Sequence, residues 1–227
     1  MWILCSLVMQ IIPNYPVYIG PFYITLCIMM TFALNQTSHD TLYTVLLPVR
    51  KIDTVKARYL YCLIMEVIVL CISITWGIIR ICVQFPDNSS GINLNVAYLG
   101  LQLILFAVFN FVFLGNVYKD PLKPGIRYAV GAVLYFVLYA VAELPVWMYK
   151  GRLSDLKEIG LDFDAALAEI QSAPWYSLPR IGAWLFPADA ASLVRQLPVL
   201  AVGLLIFAVS WPLTFRRGAR QFAKYDM

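Results

Sequence analysis

The sequence predicts an all-α membrane protein that crosses the bilayer several times, folded as one domain over residues 1–227. Three observations support this fold class. Hydrophobic residues make up 61% of the chain and charged residues only 13%, whereas a soluble domain is about half apolar and about a quarter charged. The apolar residues form long runs, and the basic residues gather in short stretches between those runs. This composition excludes an ordinary soluble domain.

Long apolar runs define the predicted spans. A membrane-spanning helix needs about 20 predominantly apolar residues. Four runs meet this length comfortably, and a fifth, 17–35, is adequate. The first run, 1–12, is shorter, so it is either a short span or an interfacial segment. The predicted spans are 1–12, 17–35, 59–83, 96–117, 128–148 and 197–215.

The placement of charges predicts the orientation of these spans. With about six spans and both termini in the cytoplasm, the inner segments hold eleven basic residues in three short stretches. The short outer connections, 13–16 and 84–95, hold none. The long outer loop, 150–195, holds five basic residues among six acidic ones. Because Lys and Arg concentrate in cytoplasmic loops, this pattern favours cytoplasmic termini and an extracytoplasmic loop at 150–195.

The long outer loop is predicted to contain helices between spans five and six. Apolar residues recur at steps of three and four from Leu156 to Ile170, with an interruption at Gly160. Aromatic residues that favour a headgroup interface follow, among them Trp175 and Trp184. We therefore expect helical pieces that lie on the outer membrane surface. An ordinary loop with a few aromatic residues is the alternative.

The segment between spans two and three is the most informative part of the chain. Thr41–Leu47 can form a short helix with Asp40 as its N-cap, and Pro48 should end or kink that helix. Basic and apolar residues then alternate as far as Tyr59, which predicts an amphipathic basic helix that continues into the third span. The alternative is that these charges only anchor the chain to lipid phosphates.

This segment also carries a resemblance to a known family. Residues 47–60, LPVRKIDTVKARYL, resemble the L-P-x-x-R/K … I-V-x-A-R/K-Y-L segment of type-2 ABC-transporter permeases, in particular the small bacterial branch linked to peptide and bacteriocin export or self-protection. The predicted architecture is similar too, with about six spans and interfacial helices before the last one. One departure is that members commonly begin with an amphipathic, Lys-containing segment, whereas this chain starts in apolar sequence.

The resemblance implies a function and a set of partners. It implies the permease subunit of an ABC exporter in a bacterial cytoplasmic (inner) membrane, moving an amphipathic or peptide-like substrate outward. Such a subunit dimerises with a second permease copy, identical or not, contacts membrane lipid, and binds a separate ABC ATPase that holds ATP and Mg. Segment 36–58 would be the cytoplasmic coupling segment that docks on the ATPase. Its candidate residues are Asp40, Leu47, Pro48, Arg50, Lys51, Asp53, Lys56 and Arg58.

Three polar residues inside predicted spans are candidates for the translocation path. Glu66 lies in the third span, Asn110 in the fourth, and Glu143 near the outer end of the fifth. An ionisable side chain at membrane depth costs about 2.5–3.5 kcal/mol on insertion scales, so it normally faces protein or water. The alternative for each is an interhelical hydrogen bond, or, for Glu143, exposure at the interface.

The sequence offers no catalytic constellation. No Gly-Lys dipeptide occurs, which excludes a P-loop in this chain. His39 is the only histidine and the five cysteines form no C-x-x-C pair, so neither a metal site nor a cofactor is expected. We predict a chain that is not an enzyme and has no nucleic-acid partner. The rival function is a non-transport immunity or sensor subunit that binds a peptide at the outer surface.

Overall fold

Every regular element is helical in the part of the chain that the computed structural model describes, residues 1–12, 14–38, 50–83, 85–119 and 123–224. Predominantly apolar sequence with few internal Gly and Pro residues favours this outcome. The helices are α1 Trp2–Ile11, α2 Ile19–Thr37, α3 Lys51–Val83, α4 Val96–Val112, α5 Pro124–Glu158, α6 Phe163–Ser172, α7 Leu178–Leu185 and α8 Ala190–Ala223, with a 3-10 turn at Val117–Lys119.

Four stretches of helix in the described residues are long and apolar enough to cross a membrane, and they coincide with the four longest predicted runs. They are Ile52–Val83, Val96–Lys119, Pro124–Glu158 and Ala191–Ala223. The apolar helices near the N-terminus are shorter. The 10 residues of α1 extend about 15 Å, roughly half of a hydrocarbon core. The chain is a helical membrane protein of several spans, while the six-span count and the orientation stay predictions.

One end of the bundle gathers the basic residues of α3 and α8. We call this the basic end, defined by 50–58 and 216–224. The hydroxyl of Tyr59, in the third turn of α3, donates to the carbonyl of Leu114 at 2.6 Å. A methyl group at Gly218 of α8 would collide with the same hydroxyl. The start of α3, the end of α4 and the end of α8 therefore meet there.

The opposite end carries the connections, and we call it the loop end, defined by 85–95 and 159–189. The turn between α1 and α2 also lies there, because the hydroxyl of Ser89 donates to the Asn14 side chain at 2.6 Å. Gly160, with φ +94°, separates α5 from α6. This left-handed conformation suits glycine, which lacks a Cβ.

The predicted helical stripe in the long loop is divided between α5 and α6. Leu156 and Ile170 are both 3% exposed and belong to one small core with Tyr149. Ile159 and Phe163, in contrast, are exposed. The helices expected in this loop are thus present, and half of their apolar stripe packs within the protein instead of facing outward.

α4 lies at the centre of the bundle and packs closely against α8. A methyl group at Gly100 would lie 2.5 Å from the carbonyl oxygen of Val199, and one at Gly203 would collide with the carbonyl of Gly100. Small residues let helix backbones approach this closely in membranes. On another face of α4, Phe109 and Tyr128 pack edge to face with ring centroids 5.8 Å apart.

Candidate functional site

The start of α3 presents charged side chains at the surface of the basic end. Arg50 Nε lies 2.8 Å from Asp53 Oδ2, and Lys56 Nζ lies 3.6 Å from Asp53 Oδ1. Both basic side chains are more than half exposed. Exposed ion pairs contribute only about 0–1 kcal/mol, so these charges are better placed for a partner than for stability. Asp40, Leu47 and Pro48 lie outside the described residues, as does the Lys51 side chain.

The buried side of the same segment, with Tyr59 after it, packs against the rest of the bundle. Val55 and Tyr59 are buried, and the Tyr59 ring packs edge to face on Phe215 of α8 with centroids 5.6 Å apart. The guanidinium carbon of Arg58 lies 6.0 Å from the centre of the Phe32 ring in α2, within the range of a cation–π contact. Packed side chains therefore connect residues 50–58, which we call the charged turn of α3, to α2 and α8.

Glu66 and Asn110 meet between α3 and α4. Asn110 Nδ2 donates to Glu66 Oε2 at 3.0 Å, and both residues are fully enclosed. The other oxygen of each side chain, Glu66 Oε1 and Asn110 Oδ1, has no hydrogen-bond partner within the described residues. The two candidate path residues thus form one interhelical pair in the single chain, and one oxygen of each side chain could accept a further hydrogen bond.

Glu143 lies far along α5, at the loop end, and binds the backbone of the loop between α3 and α4. Its carboxylate accepts from the Ile92 N–H at 2.9 Å and 3.3 Å and is fully enclosed. A methyl group at Gly91 would lie 2.6 Å from the carboxylate oxygens, so glycine permits this close approach. Sequence reasoning placed Glu143 at this depth but could not identify its partner.

Two further side chains of α5 bind the same loop, at helical spacing from Glu143. Trp147 Nε1 donates to the Ser90 carbonyl at 3.0 Å, and Lys150 Nζ donates to the Gly91 carbonyl at 2.8 Å. Positions i, i+4 and i+7 share one face of a helix. One face of α5 therefore holds the loop through a carboxylate, an indole and an ammonium group.

Amide side chains join this loop to α7 and α8. Asn95 Nδ2 donates to the Leu185 carbonyl at 2.7 Å, and Gln196 Nε2 donates to the same carbonyl at 3.1 Å. Gln196 Oε1 also accepts from the Ala97 N–H at 3.2 Å. These contacts satisfy the carbonyl at the end of α7, which a helix leaves without an internal partner. The sequence signal that could have indicated them is the Asn-rich stretch 88–95.

The candidate residues therefore fall into three places instead of one site. The charged turn of α3 is at the basic end, the Glu66–Asn110 pair is within the bundle, and Glu143 is at the loop end. Among the residues that the structure describes, no group of three or more His, Cys, Asp or Glu side chains could hold a metal ion.

Comparison with known proteins identifies a family. A family model described as "ABC-2 family transporter protein" matches residues 1–151. The match covers about two thirds of the chain and includes α1 to α4 and most of α5, and with them all three places described above. No curated protein and no solved structure matches the chain.

Proposed function

Because the chain belongs to the ABC-2 family of transporter proteins, we propose that it is the membrane-spanning permease subunit of an ATP-driven exporter. The family membership makes the chain a membrane transport component of an ABC system that is not catalytic itself. The proposal adds the outward direction, an amphipathic or peptide-like substrate, a bacterial cytoplasmic membrane and a second permease copy. The observation that carries it is a match that runs through the helices holding the charged turn.

The ATPase partner docks at the basic end in this proposal. The charged turn at 50–58 is helical from Lys51, exposes the side chains of Arg50 and Lys56, and is packed through Tyr59 against α4 and α8. A docking surface needs exposed charges, which select the partner, and rigid packing, which transmits the partner's movement. Residues 39–49 of the predicted coupling segment lie outside the described residues. The proposal places this end in the cytoplasm, as the distribution of basic residues favours.

The translocation path runs between two permease copies in this proposal, with the Glu66–Asn110 pair as part of its gate. In the single chain this pair is fully enclosed between α3 and α4. The two unpaired oxygens would gain water or substrate as partners if these helices separated. Glu143, in contrast, accepts a hydrogen bond from the loop backbone at Ile92. Its proposed role is to hold the outer side of the path closed.

Affinity purification tests the proposal. The tagged chain, extracted from its native membrane in mild detergent, should bring down a P-loop ATPase in a fixed ratio, whereas an unrelated tagged multi-span protein should not. Hydrolysis of ATP by the purified complex should respond to added amphipathic peptides. If the chain purifies without an ATPase and instead retains a peptide, it is the immunity or sensor subunit, and the permease proposal fails.

A further inference from the structure

A cavity of about 560 Å³ opens at the loop end. Its walls come from the end of α3, the loop 85–95, the end of α5, both short helices α6 and α7, and the start of α8. The family match ends at residue 151, so α6, α7 and α8 lie beyond it. The cavity has no part in the ATPase docking or the gate proposed above.

The lining of this cavity is amphipathic. Phe85, Phe163 and Trp184 contribute aromatic rings that are 49%, 50% and 39% exposed, and Leu167 adds an aliphatic surface. Large aromatic side chains are enriched where a protein meets the headgroup region of a bilayer. An apolar chain could lie against this wall while its polar end stays at the cavity mouth.

Two arginines line the same cavity, one half-buried and one exposed. Arg80 stands in the last turn of α3, and Arg195 in the second turn of α8. Neither forms an ion pair within 4.0 Å with any residue in the described part of the chain. A guanidinium group presents several N–H donors in a plane that matches phosphate and carboxylate oxygens. Both side chains are thus available to an anion.

The two carboxylates of the cavity are already hydrogen-bonded. Asp87 accepts from Asn93 Nδ2 at 2.8 Å, and Asp189 caps α8 by accepting from the Ser192 N–H at 3.2 Å. The hydrogen bonds from Ser192 hold the pKa of Asp189 below its ordinary value. Both carboxylates keep their negative charge, and Asp87 lies near enough to Arg80 to interact with it electrostatically. An anion would be held by the N–H donors of the two guanidinium groups, which no carboxylate of the described residues occupies within 4.0 Å.

We propose that this cavity binds an anionic phospholipid, with its phosphate at Arg80 and Arg195 and an acyl chain on the aromatic wall. The position favours a lipid over a peptide, because Arg80 lies close to the end of one candidate span and Arg195 close to the start of another. Headgroup phosphates lie at that level whichever way the protein is oriented. The proposal needs only the membrane, so it stands independently of export.

Native mass spectrometry of the full chain, with any subunit that co-purifies, tests this site. In neutral detergent, short-chain phosphatidylglycerol should bind at least about ten-fold more tightly than the matching phosphatidylcholine, because the choline group of phosphatidylcholine carries, beside the phosphate, a positive charge that the two arginines repel. The double variant Arg80→Gln with Arg195→Gln should lose this preference. Arg152→Gln is the matched control, because Arg152 is exposed, pairs with Glu169 and does not line the cavity.

A second variant addresses the cavity without changing its charge. Leu167→Trp should fill part of the volume and weaken the binding of both lipids, which keeps the test decisive if the arginine variant misfolds. The proposal is overturned if Leu167→Trp binds lipid as the parent does, or if a folded arginine variant keeps its preference. It is equally overturned if inorganic phosphate or an acidic peptide displaces the lipid at comparable concentration, which would identify a free anion or a peptide as the ligand.

Discussion

Glu143 can be buried at the loop end because the backbone N–H of Ile92 supplies a hydrogen bond to its carboxylate. Glu143→Leu should leave that N–H enclosed without an acceptor, which costs about 1–3 kcal/mol. We expect the free energy of unfolding to fall by about 2 kcal/mol, measured by circular dichroism during titration of the purified protein with sodium dodecyl sulfate. Glu158→Leu, at an exposed position of the same helix, should change it by less than about 0.5 kcal/mol. Equal losses in the two variants would show that Ile92 is not the cause.

The Glu66–Asn110 pair makes a different prediction, since each side chain satisfies the other. Glu66→Leu and Asn110→Leu should each lower the free energy of unfolding by leaving one polar group unpaired in the bundle. The double variant should lose less than the sum of the two, with a coupling energy of about 0.6–1.7 kcal/mol, the range found for interhelical hydrogen bonds in membranes. Strictly additive losses in the same titration would mean that the hydrogen bond contributes nothing.

Sequence alone could locate these polar residues but not pair them. Hydropathy places Glu66 and Asn110 in neighbouring spans, and an interhelical hydrogen bond is one of the two roles that their position predicts. Whether they meet depends on how α3 and α4 are rotated about their axes, and packing over the whole bundle determines that. The same reason explains why Gln196 and Lys150, which bind backbone groups of distant segments, carry no sequence signal of their own.

At the scale of the helices, the contact between α4 and α8 rests on two glycines. Gly100→Ala and Gly203→Ala should each push the backbones apart, because the added methyl group would meet a carbonyl of the facing helix. Overpacking of this kind costs about 1–3 kcal/mol. Gly151→Ala is the control, since a methyl group there meets nothing within 4 Å, and it should raise the free energy of unfolding by about 0.5–1 kcal/mol. The same titration measures all three, and a stabilised Gly203→Ala variant would refute the close crossing.

At the end of α5, the span predicted from hydropathy and the helix in the structure end at different residues. The apolar run predicts a span that ends at Met148, but the helix continues to Glu158. The added residues, KGRLSDLKE after Tyr149, are mostly polar, so a hydropathy window excludes them. Lys, Arg, Leu and Glu are nevertheless good helix formers, and Leu156 buries its side chain against α6. Hydropathy therefore gives the length of the span, while helix propensity and packing determine where the helix stops.

At the scale of the whole molecule, the basic end and the loop end predict an orientation. Single cysteines introduced at Ala223 and at Glu169 of a cysteine-free variant mark these two ends at exposed positions. In intact cells a membrane-impermeant thiol reagent should label the Glu169→Cys protein and spare the Ala223→Cys protein, because positive residues concentrate on the cytoplasmic side. Labelling after cell lysis controls for reactivity. The reverse pattern in intact cells would invert the proposed topology.

The central claim is that a separate ATPase drives this permease by docking on the charged turn of α3. Arg50→Glu with Lys51→Glu should reduce ATPase binding at least about ten-fold, because leaving a partner's buried charge unpaired costs about 2–5 kcal/mol. Arg152→Glu with Lys157→Glu changes the net charge equally at the loop end and should bind as the parent does.

The decisive measurement is the affinity of the purified ATPase for each variant in nanodiscs, with its rate of ATP hydrolysis recorded in the same samples. The account predicts that the variant at the basic end inserts normally but loses binding and stimulated hydrolysis, while the variant at the loop end keeps both. If the variant at the basic end binds and stimulates the ATPase as the parent does, the charged turn only anchors the chain to lipid, and the proposed coupling site is contradicted.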